Sequence, residues 1–89
     1  MTRVEFNLKY KQYLKERYNG LSIDDERFIK YLDEIFQSII LHHPKFNYLQ
    51  VKNKWGHIRF YSNLDFDTQM KIEKILDNYY QTLINNTQQ

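Results

Sequence analysis

The chain has 89 residues, enough for one domain around a single hydrophobic core and too few for a second core or an enclosed cofactor cavity. It contains no cysteine, which excludes disulfides, thiolate-based zinc sites and catalytic thiols. The formal net charge is only +2, so overall charge selects no partner; the aromatic share of 17 %, with alanine absent, instead supplies large buried area per residue and rings suited to contact surfaces.

The distribution of charge says more than its sum. Residues 35 to 64 contain no carboxylate but hold Lys45, Lys52, Lys54, Arg59 and all three histidines, while acids gather at 24–34 and 65–77. Such a stretch is expected to carry a positive local field whatever the net charge. The amino terminus lacks the apolar run of a signal peptide, and no segment reaches the length that spans a bilayer. The expectation is a cytoplasmic protein without a membrane partner.

In chain order, the first segment is ambiguous. Val4, Phe6, Leu8 and Tyr10 alternate with polar residues at strand period, whereas Phe6, Tyr10, Tyr13, Leu14 and Tyr18 recur at helical spacing. Because the run ends in Asn19-Gly20, a natural left-handed stop, the reading favours a short extended lead and a helix over about 7–18. A second helix is expected over 23–42: Ser22 with an acid three residues on opens it, Pro44 ends it, and Phe28, Ile29, Leu32, Ile35, Phe36, Ile39 and Ile40 form its core stripe. A third is expected over 66–84, with Phe66, Met70, Ile72, Ile75, Leu76, Tyr79, Leu83 and Ile84 turned inward. The polar tail, 85–89, is expected to fray.

Between the last two helices, residues 47–52 and 57–62 read as an antiparallel hairpin. A four-residue connection, Asn53 to Gly56, pairs Lys52 with His57, Val51 with Ile58 and Tyr48 with Tyr61. It puts Leu49, Val51, Ile58 and Phe60 on one face and Tyr48, Gln50, Lys52, His57, Arg59 and Tyr61 on the other. Gly56 then takes the left-handed position that closes the loop. A lone hairpin is marginal in water, so its apolar face must lie on the helices. The expected fold is therefore α+β, a single domain over 1–89 in which three helices pack on a two-stranded hairpin.

The run Gln50, Val51, Lys52, Lys54, Trp55, Gly56, Ile58, Arg59, Phe60 and Tyr61 fits the pattern Q-[IV]-K-x-K-[FW]-G-x-[LIA]-R-[FV]-Y. In this it resembles small uncharacterised proteins of tailed, T4-like bacteriophages, as do the preceding HPKFNYLQ and the helix that follows. The resemblance covers about half of the chain. It implies a phage-type accessory protein in the host cytoplasm and assigns no chemistry.

Candidate function thus rests on Tyr48, Lys52, Lys54, Trp55, His57, Arg59 and Tyr61, a cationic face edged by aromatic rings. Tyr, Trp and Arg are the side chains that most often carry interface energy, which favours a protein partner, either a host protein or a second copy. Cations between flat rings also suit DNA or RNA, the alternative. The bland alternative is a solvated sheet face. His57, Arg59 and Tyr61 are the one set that acid/base cleavage of RNA would use, but such enzymes rest on larger sheets, and no catalytic residue is assigned. His42 and His43 are adjacent at a helix end and point apart, so no metal or cofactor is expected.

Overall fold

A computed structural model describes residues 1–87. Its elements are α1 (Arg3–Lys9), a 3-10 turn (Lys11–Tyr13), β1 (Gly20–Leu21), α2 (Glu26–His42), β2 (Tyr48–Lys54), β3 (His57–Ser62) and α3 (Phe66–Thr87). The class is α+β, but the sheet has three strands in the order β1-β2-β3. β1 runs parallel to β2, pairing Gly20 with Gln50 and Leu21 with Val51, and β2 and β3 are antiparallel. Two residues carry too little pattern to announce a strand; β1 is made by its partner.

The helix expected over 7–18 is displaced. Thr2 and Glu5 form a reciprocal capping box, Glu5 N–H donating to Thr2 Oγ1 and Thr2 N–H to Glu5 Oε1, which starts α1 at Arg3. Only Phe6 and Tyr10 of the alternating set are buried; Val4 and Leu8 are exposed. After the 3-10 turn the chain extends, Leu14 bridges to Tyr48, and Lys15 N–H donates to Tyr48 O. Gly20 therefore does not stop a helix. It opens β1 with φ +70°, and a Cβ there would lie 2.7 Å from Asn7 Oδ1, so both the backbone and the space demand glycine.

The second helix ends at His42 as expected but begins at Glu26, capped by Asp25, whose side chain accepts from Arg27 N–H. Ser22 is used elsewhere: its N–H donates to Val51 O, extending the pairing of β1 with β2. Phe28, Ile29, Leu32, Phe36 and Ile39 are buried. Phe36 is the hub of the core, its ring centroid 5.1 Å from those of Phe6 and Tyr10, 5.3 Å from Phe46, 4.9 Å from Tyr48 and 6.2 Å from Phe60. Tilted and edge-on ring pairs at these distances add to the area they bury.

α3 starts at Phe66 as expected, with Thr68 N–H donating to Asp65 Oδ2, and continues to Thr87. Of the tail expected to fray, Asn85 to Thr87 belong to this helix, and Gln88 and Gln89 lie outside the described residues. Not all of its apolar stripe is core. Leu76 and Leu83 are buried, whereas Phe66 is 74 % and Met70 40 % exposed. Tyr31 of α2 stacks on Tyr79 of α3 at 4.1 Å, and Phe28 meets Tyr80 edge-on at 5.7 Å, so the two helices cover the same face of the sheet.

The hairpin register differs from expectation by two residues. Lys52 pairs with Arg59, Val51 with Phe60 and Lys54 with His57, leaving a two-residue turn of Trp55 (φ +57°) and Gly56 (φ +86°). Two positive φ values define a type I′ turn, whose twist matches that of the flanking strands. A slip of two preserves faces, so Val51, Ile58 and Phe60 are buried as expected. Between Tyr48 and Gln50, however, a bulge shifts the register by one, Tyr48 pairing with Ser62 and Gln50 with Tyr61. The bulge turns Tyr48 from the outward to the inward face, where it is 0 % exposed.

The Tyr48 hydroxyl has no hydrogen-bond partner among the described residues, and burial pushes its pKa up to about 12. An unpaired buried hydroxyl costs stability rather than adding to it. Tyr48→Phe should therefore leave the fold intact and change unfolding free energy by zero to about 1 kcal/mol in the stabilising direction, measured by urea denaturation. A loss of more than about 1 kcal/mol would show that the hydroxyl is bonded after all.

Candidate functional site: the open face of the sheet and its hairpin tip

The sheet is covered on the α2 side, and its other face carries the outward side chains of β2 and β3. Of the seven residues singled out from sequence, six are brought together there: Lys52 lies opposite Arg59, Lys54 opposite His57, Tyr61 stands beside Gln50, and Trp55 forms the tip. Tyr48 is the exception and offers a partner no surface. Lys52 Nζ lies 5.8 Å above the Tyr61 ring, a cation–π contact that holds the two side chains together. Lys52 and Lys54 have no carboxylate partner among the described residues.

The positive field expected over 35–64 is cut down by α3. Arg59 Nη1 lies 3.5 Å from Glu73 Oε1, and His57 Nδ1 lies 3.1 Å from Asp77 Oδ2. A carboxylate can only accept, so His57 Nδ1 carries the hydrogen. The same acids serve the strand. Ser62 N–H donates to Gln69 Oε1 at 2.7 Å, Phe60 N–H to Glu73 Oε2 at 3.0 Å and Ile58 N–H to Asp77 Oδ1 at 2.9 Å, while Gln81 Nε2 donates to Gly56 O at 2.7 Å. Four helical residues rise about 6.0 Å and two strand residues about 6.6 Å, so side chains spaced by four on the helix match every second group of the strand edge.

Burial opposes ionisation of Asp77, but hydrogen bonds from Ile58 N–H, His57 and Gln81 together hold its carboxyl below the ordinary carboxylate value. A carboxyl whose pKa is lowered on folding contributes stability above its unfolded value of about 4, lost as pH falls through the folded value. Acid titration of stability should thus show a loss beginning below about pH 4, shallower in Asp77→Asn, followed by urea midpoints from pH 6 to pH 2. An unchanged acid limb in the variant would contradict this role for Asp77.

Trp55 is the anomaly of the site. It is 90 % exposed and held in the left-handed region, at a turn position that favours Asn, Asp or Gly. Asn53 does support the turn: Gly56 N–H donates to Asn53 Oδ1 at 2.9 Å, and Asn53 Nδ2 donates to Tyr80 Oη at 2.8 Å. Among the described residues, none makes a hydrogen bond, ion pair or ring contact with the indole. Phe66 and Met70 are the members that sequence reasoning missed. They stand eleven and seven residues before Asp77, on the same side of α3 as Glu73, toward the β3 edge. The pattern that placed them in the core was correct about the helix but not about their side of it; the missing signal was that this side of α3 meets a strand edge with polar groups.

Two adjoining depressions lie elsewhere, at the C-terminal end of α2. One of about 420 Å³ is lined by residues including His43, Phe46, Leu64 and Asp65, and one of about 260 Å³ by Ile35, Ile39, Ile72 and Ile75, with His42 and His43 shared. His42 Nδ1–H donates to Ser38 O at 2.9 Å, and no three metal-ligating side chains meet among the described residues. No helix among them is long and apolar enough to cross a membrane. In comparison with known proteins, the chain matches no family model, and no curated protein or solved structure is significantly similar to it.

Proposed function

We propose that the chain is a non-catalytic binding module, of phage type and acting in the host cytoplasm, that engages a protein partner through the open sheet face and the Trp55 tip. The observation that carries this reading is Trp55 itself: an indole 90 % exposed at φ +57° costs conformational energy and recovers none by packing. An exposed Trp at the tip of a face that carries Tyr61, Lys52 and Arg59 is the composition of an interface anchor. A protein is favoured over nucleic acid because two of the four basic groups on the strands, His57 and Arg59, face acids of α3 that would sit beside any phosphate. A second copy is disfavoured on this face, since Lys52 and Lys54 would meet their own kind.

Trp55 is the chain's only tryptophan, so its fluorescence reports on the site directly. Titration with single- and double-stranded DNA and RNA at 20 mM to 300 mM salt should leave its emission unchanged, and host proteins retained by the immobilised wild type should be lost from a Trp55→Ala bait. Saturable, salt-dependent quenching by a nucleic acid would replace the protein reading with the alternative. Retention of the same host proteins by both baits would overturn the assignment of this face.

A further inference from the structure

Both edges of the sheet are closed over most of their length, β1 pairing with Gln50 and Val51 and leaving only the end of β2 beyond it. On the β3 side the outward N–H groups of Ile58, Phe60 and Ser62 are taken by α3. On the β1 side the Asn7 amide reproduces a strand's pairing, Nδ2 donating to Leu21 O at 3.0 Å and Leu21 N–H donating to Oδ1 at 2.9 Å. A partner therefore has no ladder of useful length to join, and recognition by strand addition, which needs an unpaired edge, is disfavoured. What remains is the open face, and with no ladder of useful length to join, the backbone groups of a partner lying on it must be paired within the partner, as those of a helix are.

The open face has a shape that such a helix would match. Trp55 stands at one end of β3, and Tyr61, with Phe66 and Met70 on the adjoining side of α3, stands at the other. The six residues of β3 span roughly 20 Å, which is about three to four turns of helix. Between these apolar ends lie Lys52 and Lys54, cations without carboxylate partners among the described residues. Resting on the proposal that this face is the interface, we infer that the partner presents an acidic amphipathic α-helix, with apolar anchors about eleven residues apart and carboxylates between them, laid along β3.

Three synthetic peptides of 16 residues test this. The first carries leucines at both ends of one helical stripe with glutamates between; the second has two central positions replaced by proline; the third has lysine for every glutamate. Binding is read from the blue shift of Trp55 emission and from amide chemical shifts of the labelled protein. The first peptide should bind saturably and shift the amides of Lys52, Arg59, Tyr61 and Met70. The second should bind at least tenfold more weakly and the third not at all. The double variant Lys52→Glu/Lys54→Glu, with its fold checked by circular dichroism, should reverse the preference between the first and third. Equal binding of the first two peptides at the same amides would overturn the helix and leave the interface standing. Absence of binding by the first peptide, or shifts confined to other surfaces, would overturn the inference, while loss of host proteins from the Trp55→Ala bait would still decide the interface by itself.

Discussion

Replacement of Phe36 by alanine is expected to leave the protein at the edge of unfolding in water at room temperature. The side chain is fully buried and its ring lies against those of Phe6, Tyr10, Phe46, Tyr48 and Phe60, which come from α1 and its C-cap, the segment after α2 and two strands of the sheet. Removing a buried phenyl ring costs about 3–5 kcal/mol, transfer and cavity terms together. A domain of this length is stable by only about 4–13 kcal/mol, at 0.05–0.15 kcal/mol per residue. Urea unfolding followed by circular dichroism should show the midpoint falling by about a quarter or more, with Phe36→Leu recovering most of the loss. A change below about 1 kcal/mol would mean that the rings do not share one core.

The second large effect is on binding. Trp55→Ala should weaken capture of the partner at least about 30-fold, the equivalent of the roughly 2 kcal/mol that marks an interface anchor. The secondary structure should be unchanged, because the indole makes no packing contact that the fold needs. Calorimetric or fluorescence-polarisation titration of the two proteins against the captured partner, or against the glutamate-rich helical peptide, measures it. A loss smaller than threefold would remove Trp55 from the interface. These two substitutions divide the aromatic content of the chain by role: rings that hold the molecule together, and rings, Trp55 foremost, that it holds out.

That division was only partly legible in the sequence. α2 was legible because its apolar stripe runs uninterrupted and ends at a histidine before Pro44. The hairpin's inner set, Val51, Ile58 and Phe60, was legible because period two survives a register error of two. A four-residue loop keeps the faces consistent and gives Gly56 the left-handed position, but a two-residue turn keeps the same faces, and it also puts Trp55 in the left-handed region. Tyr48 was misassigned for a different reason: a bulge at Leu49 reverses parity, and no residue type marks it. β1 is too short to have a period and pairs with residues about thirty positions away. In α1 the Thr2/Glu5 capping box was present to be read, but the alternation from Val4 to Tyr10 competes with it. For the site, composition identified six of its members, while Phe66 and Met70 looked like core and the neutralising role of Glu73 and Asp77 depends on a contact between strand and helix that spacing alone does not reveal.

The expectation that an exposed, left-handed tryptophan serves a partner has a consequence for the isolated protein. Asparagine adopts the left-handed conformation readily and is the residue type I′ turns favour at this position. If Trp55 is held at a cost to folding, Trp55→Asn should be more stable than the wild type by roughly 0.5–1 kcal/mol, within the range by which relieving such strain is expected to act. The most direct measurement is therefore equilibrium urea unfolding of Trp55→Asn beside the wild type, followed by far-ultraviolet circular dichroism in the absence of any ligand. A higher midpoint at unchanged slope is the predicted result. A lower midpoint would show that the indole stabilises the fold, and would contradict its assignment as the anchor of an interface.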